Sequence, residues 1–288
     1  MVSRSGSRAI VLMAALVATM GSAAAFDDAK YPDLKGQWTR APAPAGIRGQ
    51  PSFDPSKSSG RGQEAPLTPE YQAIFEANLA DQASGGFGTT TGWRCGAWGL
   101  PAIMNVYQPM EIIVMPRTTF IRIDYIRESR RRIFTDGRAW PKEVEPGFDG
   151  YSIGKWIDED GDGKFDVLEA ETRYFSGPRA FDLSGIPLHE DNETVIKERI
   201  YLDKADKNLL HDEITVTDNA LTRPWTVKKS YRRSAQARPE WPEYMCVERS
   251  ETMRIGSETY RVNKEGYLLP SKKGQKPPSV QYFPVAER

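Results

Sequence analysis

The run TVIKERIYLDKADKNLLHDEITVT, residues 194–217, decides the fold. Apolar and polar residues alternate over 194–202 and again over 209–217, which is the period of a strand with one buried face. Between these halves lies Asp203-Lys204-Ala205-Asp206, a polar sequence typical of a turn. The run therefore predicts two antiparallel strands that are joined by a short connection.

Six further segments outside this hairpin have the same period of two. They are residues 111–115, 118–126, 130–135, 151–157, 167–175 and 225–232. Turn-forming residues bound these segments. Eight strands with short connections predict a mainly β fold in the form of a closed or nearly closed antiparallel barrel, and a β-sandwich is the alternative.

One helix is predicted ahead of these strands. Thr68 is a suitable N-cap, Pro69 suits the first helical position, and apolar side chains recur on one face as far as Leu79. The flanking sequence is rich in Pro, Gly and charged residues, which indicates extended arms. The predicted organisation is a signal peptide over 1–25, an N-terminal arm over 26–66, a barrel over 67–233 and a Pro-rich C-terminal arm over 234–288.

The first 25 residues have the pattern of a cleaved signal peptide. Arg4 and Arg8 form a basic region, an apolar run extends from Ala9 to Met20, and Ala23-Ala24-Ala25 provides a small-residue cleavage site. The apolar run is short for a bilayer span, and no other segment is apolar for long enough. We therefore expect an exported protein, periplasmic or secreted, without a membrane span.

The charge of the chain is balanced, with 39 basic and 39 acidic residues. Two of the basic residues lie in the predicted signal peptide. A near-neutral chain argues against nucleic acid or an anionic membrane surface as the main partner, since both require an excess of positive charge. The partner that the sequence predicts is a small molecule.

Cys95 and Cys246 are the only two cysteines. An oxidising compartment favours a disulfide between them, and two buried free thiols are the alternative. The bridge would join the segment before the first strong strand to the C-terminal arm. Closing so long a loop would stabilise the fold by about 4–5 kcal/mol in the chain-entropy model.

The segment DEDGDGKFDVLE, residues 158–169, matches a twelve-position calcium loop, with Gly163 at the position of the sharp turn. Residues on its N-terminal side are typical of a strand, which favours a structural Ca²⁺ in a hairpin over a calcium sensor. The alternative is a solvated acidic turn, because Asp and Gly are also common turn formers. The predicted ligands are Asp158, Asp160, Asp162, the Lys164 carbonyl, Asp166 and Glu169.

Five motifs together carry a resemblance to a known family. They are residues 150–156, 177–179, 188–191, 195–199 and 221–227. The chain resembles, over roughly residues 67–233, a poorly characterised family of exported bacterial proteins that is associated with lipocalin-like β-barrels. The resemblance implies a lipocalin-like barrel of about eight strands and names no reaction. In that family a short Gly-Asp turn replaces the acidic loop, which would make the loop a local elaboration.

Candidate functional residues follow from the predicted strand faces. Glu198 shares an apolar face with Ile196 and Ile200, and burial there would raise its pKa or pair it with an arginine. His189 lies beside two carboxylates in a loop, where a neighbouring acid could orient the ring. For most charged residues of these strands the simpler interpretation is a solvated outer face.

Two functions are compatible with these residues. In the first, the barrel binds a small, largely apolar molecule and calcium stiffens one hairpin. In the second, the barrel is a cofactor-free lyase, isomerase or hydrolase, in which Glu198 or His189 moves a proton and Arg122 or Arg138 stabilises an anion. No nucleophile motif is present. This favours binding over catalysis.

Overall fold

A computed structural model describes residues 26–41, 52–58, 60–86, 88, 97–105, 108–125, 127–236, 238–241, 252–255, 258–263 and 265–279. The predicted signal peptide, residues 1–25, lies outside these residues, as do Cys95 and Cys246. Cleavage and export, like the disulfide, therefore stay predictions.

Nine strands form a closed barrel in which each strand pairs with the next, and the first pairs with the last. All eight strand segments predicted from the period of two are confirmed. The strands are β1 Gln37–Arg40, β2 Met110–Met115, β3 Thr118–Tyr125, β4 Arg127–Phe134, β5 Tyr151–Ile157, β6 Val167–Arg173, β7 Val195–Leu202, β8 Leu209–Thr217 and β9 Trp225–Arg233.

The barrel differs from the expected eight-stranded antiparallel one in strand number and direction. β1 comes from the segment assigned to the N-terminal arm, and it lies between β2 and β9. A closed ring with only antiparallel neighbours needs an even number of strands, so a ninth strand requires a parallel pair. That pair is β4 and β5, which are in register only at Ile133–Ser152 and Phe134–Ile153. The connection 135–150 between them is long enough for a parallel crossover.

The predicted helix, α1, spans Pro69–Ala83. The Thr68 hydroxyl accepts a hydrogen bond from the Tyr71 main-chain N–H at 3.4 Å, which confirms the predicted cap. Tyr71 and Phe75 are buried, so this face of α1 contributes to the core. Within the described part of the chain, no helix is both long enough and apolar enough to cross a membrane.

The C-terminal arm contains a second, smaller sheet. Strands β10 Thr252–Ile255, β11 Glu258–Val262 and β12 Leu268–Pro270 pair antiparallel in this order. The Lys272 ammonium lies 2.9 Å from Asp81 of α1 and 3.1 Å from Glu258 of β11. These contacts attach the arm to the C-terminal end of α1.

Side chains fill the barrel interior, and the connections supply part of the core. The 3₁₀ turn Ala102–Asn105 is buried at all four residues. The rings of Phe53, Phe181 and Trp225 pack with centroids 4.6 to 5.1 Å apart. Aromatic clusters of this kind add to the stability that burial alone provides. The interior is therefore a packed core with the inner faces of the strands as its wall.

Candidate functional site

Glu198, the acid that the sequence places in an apolar row, lies on the inner face of β7. Its side chain is 0% exposed, and its two carboxylate oxygens accept hydrogen bonds from Arg131 of β4 at 2.9 and 2.5 Å. Burial alone would lower the pKa of Arg131, but the attraction and hydrogen bonds of Glu198 outweigh burial and raise it. The arginine that meets Glu198 is thus neither Arg122 nor Arg138.

Asp212 of β8 is a second buried acid, and sequence reasoning missed it. Within the described residues neither of its carboxylate oxygens has a hydrogen-bond partner. Burial raises the pKa of Asp212 well above its usual value, and the nearby charge of Glu198 raises it further. The signal that could have found it is strand alternation, because Asp212 shares the inner face with Leu210 and Ile214.

Lys229 and Tyr231 of β9 extend this group of buried ionisable side chains. Lys229 faces Asp212 in the β8–β9 register, and its ammonium donates to the Ser52 carbonyl. Burial lowers the pKa of Lys229 well below its usual value, while the attraction of nearby carboxylates opposes the shift. Burial also raises the pKa of Tyr231, whose hydroxyl donates to a main-chain carbonyl at 2.8 Å. We call Arg131, Glu198, Asp212, Lys229 and Tyr231 the interior charge cluster.

A groove of about 680 Å³ opens on the outer surface of the barrel, beside the joint between β4 and β5. Its lining comes from the connection 137–140 and from β5 to β9. β4 and β5 pair at only two positions, so the chain that leaves β4 diverges from β5. Gly154 lines the groove, and a Cβ at this position would lie 2.7 Å from the Ile133 side chain and 2.7 Å from the Glu169 carbonyl oxygen, so a larger residue does not fit there. The volume is in the usual range for small-molecule sites.

The groove has an apolar side and a charged side. Trp140 and Ile153 contribute apolar surface, whereas the Lys155 ammonium and the Glu169 carboxylate, 3.1 Å apart, are among the charged groups. Glu198 reaches the groove only through its main chain, since its side chain is fully buried.

Arg138 is the one predicted catalytic residue whose side chain is available to the groove. Its guanidinium lies 2.7 Å from Asp136 and 3.1 Å from the Tyr151 hydroxyl, and it stacks over the Phe134 ring at 3.7 Å. Its hydrogen bond to Asp136 is the main reason that the pKa of Asp136 is lowered. These three contacts orient the Arg138 side chain in the lining of the groove.

The other predicted catalytic residues lie elsewhere. The His189 ring lies 2.9 Å from Asp191 and packs against Tyr71 at a centroid distance of 5.1 Å. The Arg122 guanidinium stacks over Trp241 at 4.9 Å. Within the described chain, none of these partners of His189 and Arg122 also contacts the Glu198 side chain in the contacts given above. Among the described contacts, Glu198, His189 and Arg122 are thus not assembled around one site.

The acidic loop joins β5 to β6 and gathers part of the predicted ligand set. One carboxylate oxygen each from Asp158, Asp160 and Asp166 lies within 4.8 Å of the others. The Asp158 carboxylate accepts main-chain hydrogen bonds from the loop at 2.7 and 2.9 Å. Glu169 instead forms ion pairs with Arg199 and a lysine, and neither Glu169 nor Asp162 belongs to the cluster. The oxygen donors of the three clustered carboxylates suit a hard cation.

No protein-family model matches the chain, and no curated protein sequence matches it. We therefore describe the protein by its architecture alone, which is a closed mixed β-barrel with buried ionisable side chains and an outer groove.

Proposed function

We propose that this protein is an exported barrel that binds a small, largely apolar molecule in the outer groove. The observation that carries the proposal is the groove itself, because its volume of about 680 Å³ suits a ligand of that size. Trp140 and Ile153 would cover the apolar part of the ligand, and Arg138 would meet one polar group. Export and the relation to lipocalin-like proteins are part of the proposal and rest on the sequence motifs.

The groove supports binding better than the interior does. The interior contains the fully buried ion pair of Arg131 and Glu198. A ligand that entered the interior would have to break that pair. The groove takes a ligand without any opening of the barrel. Catalysis through Glu198 or His189 finds no support in their separate contacts, and binding is the function that we put forward.

Replacing Trp140 with Ala is expected to weaken ligand binding about tenfold or more, because a buried aromatic side chain contributes about 1.5–3 kcal/mol. Mass spectrometry of the small molecules that copurify with the protein identifies the ligand and its loss in W140A. Trp241→Ala is the matched control, since Trp241 does not line the groove. Equal retention of the ligand by both variants would contradict the groove as the site.

We further propose that the acidic loop binds Ca²⁺ as a structural ion. The clustered carboxylates of Asp158, Asp160 and Asp166 support this proposal, and the Lys164 carbonyl and Asp162 would add oxygens from the same loop. Calcium takes six to eight oxygen ligands, so a full shell would also draw on Glu169 or water. Glu169 would have to leave Arg199 to contribute.

Calcium is expected to raise the midpoint of thermal unfolding, because a ligand that only the folded state binds stabilises that state. The gain is about 2.7 kcal/mol at a calcium concentration of about a hundred times Kd. Asp160→Asn should remove most of the gain, whereas Glu193→Gln, an exposed acid outside the loop, should keep it. A midpoint that calcium leaves unmoved, with no heat of binding in calorimetry, would identify the loop as an acidic turn.

A further inference from the structure

The N-terminal arm places one aromatic residue in a pocket of the core. Phe53 is fully buried, and the centroid of its ring lies 4.7 Å from that of Phe181 and 4.6 Å from that of Trp225. The Lys229 ammonium lies 5.2 Å from the same centroid, within the range of a cation–π contact. The pocket around this ring thus has two aromatic walls and one cationic group.

Two buried ionisable side chains bind the main-chain amide that precedes the ring. The Lys229 ammonium donates a hydrogen bond to the Ser52 carbonyl. The Asp182 carboxylate accepts a hydrogen bond from the Phe53 N–H at 2.7 Å. This carbonyl and this N–H belong to the same peptide bond, so a basic and an acidic group bind its two sides. Hydrogen bonds to ionised groups are about twice as strong as those between neutral groups.

The burial of Lys229 and Asp182 is costly for a contact that only fixes a loop. Burial lowers the pKa of Lys229 and raises the pKa of Asp182, because the charged form of each is poorly solvated in the core. Apolar side chains would pack against a loop without this cost. A few polar groups placed within an apolar lining are instead typical of a binding site.

The arm segment that fills the pocket is held together by its own hydrogen bonds. The Gln63 side-chain carbonyl accepts a hydrogen bond from the Asp54 N–H, and its amide donates to the Ser58 carbonyl, both at 2.8 Å. We call residues 52–58 and 60–63 the arm loop. These bonds do not involve the barrel, so the arm loop can leave the pocket without breaking them.

We propose that this pocket is a recognition site for an aromatic residue of a polypeptide, and that the arm loop is its internal occupant. A partner segment places its ring between Phe181 and Trp225. Lys229 and Asp182 bind the amide that precedes the ring, and the arm loop is displaced. These four residues line neither the outer groove nor the acidic loop, so the inference does not rest on the proposed function.

Phe53→Ala, combined with the probe acetyl-Ser-Phe-amide, tests the proposal. The substitution removes the ring of the internal occupant, and the probe supplies the same ring and the same amide. The probe is expected to bind F53A about tenfold or more tightly than it binds the wild-type protein, in which the complete arm loop competes at a high effective concentration. Calorimetry measures both affinities, and the probe should raise the midpoint of thermal unfolding of F53A.

Two further probes distinguish recognition of the amide from the filling of a cavity. A probe with N-methylated phenylalanine lacks the N–H that Asp182 accepts, so it should bind F53A about tenfold more weakly. Toluene supplies only the ring and should stabilise F53A less than acetyl-Ser-Phe-amide does. Phe175→Ala is the matched control variant, because Phe175 is also buried but stacks with Arg179. Acetyl-Ser-Phe-amide should leave its midpoint unchanged.

Hydrogen exchange of the wild-type protein gives a second readout, which also decides the case if F53A does not fold. Excess acetyl-Ser-Phe-amide should speed exchange in the arm loop and leave the strands unchanged, because the probe replaces the loop in the pocket. The proposal is overturned if the probe neither binds F53A nor speeds this exchange. It is also overturned if the N-methylated probe or toluene acts as well as acetyl-Ser-Phe-amide, or if Phe175→Ala gains as much stability from it.

Discussion

Glu198→Gln is expected to destabilise the protein by about 3–5 kcal/mol, because it removes one partner of a buried ion pair and leaves the other charge uncompensated. The Arg131 guanidinium would keep its charge in a site that is 0% exposed. Its Nη2 would face an amide in place of the carboxylate that is 2.5 Å away. Chemical denaturation of the wild-type protein and the Glu198→Gln variant at pH 7 measures the difference in their free energies of unfolding.

Two comparisons show whether the effect comes from the ion pair. Glu193→Gln, the same chemical change at an exposed position, should alter the free energy of unfolding by no more than about 0.5 kcal/mol. Replacing both partners, Arg131→Met with Glu198→Leu, should cost much less than Glu198→Gln alone, because neither member of the pair is left as an uncompensated buried charge. Loss of ligand with unchanged stability would instead assign Glu198 to a binding cavity.

Asp212→Asn is expected to stabilise the protein at pH 7 by at least about 1 kcal/mol. A buried carboxyl with a raised pKa costs free energy there, either as an unpaired charge or through the uptake of a proton on folding. Asparagine keeps the shape of the side chain and removes its charge. The gain should be measurable as a higher denaturation midpoint with an unchanged slope.

The pH dependence of this gain follows from the raised pKa of Asp212. A carboxyl with a higher pKa in the folded state binds its proton more tightly there, so its contribution to stability is greatest below the unfolded pKa of about 4. That contribution is lost as the pH rises through the folded pKa. The advantage of Asp212→Asn should therefore be small near pH 4 and grow towards neutral pH. An advantage that does not change with pH would contradict a raised pKa.

Local pattern was sufficient to predict most of the barrel. The period of two predicted eight strands, and Thr68 and Pro69 marked the start of α1. The parallel pairing of β4 with β5 could not be predicted, because it depends on which strand closes the barrel. The residue pattern of β1 does not indicate that it pairs with β2 and β9. Strand pairing is set by contacts that are distant in sequence.

The interior charge cluster could be predicted only in part. Glu198 stood out because it shares a row with isoleucines. Arg131 shares the inner face with Ile133 in the same way, but it lies among adjacent arginines, which read as a solvated surface. Arg131 and Glu198 lie on β4 and β7 and meet only in the closed barrel. The sequence of one strand alone therefore does not predict their contact. The acidic loop is the opposite case, because its ligands are close in sequence and a short turn gathers three of them.

The position of β1 has a consequence for the order of folding. Thr39 of β1 contacts Arg232 of β9 across 193 residues of chain, whereas the hairpins from β5 to β9 form between neighbours. Contacts between distant residues carry the larger entropic cost of loop closure, and chains that depend on them fold more slowly. The ring should thus close late. Until β1 arrives, β2 and β9 are open edges, and two partly folded chains that meet there can pair with each other before either barrel is complete.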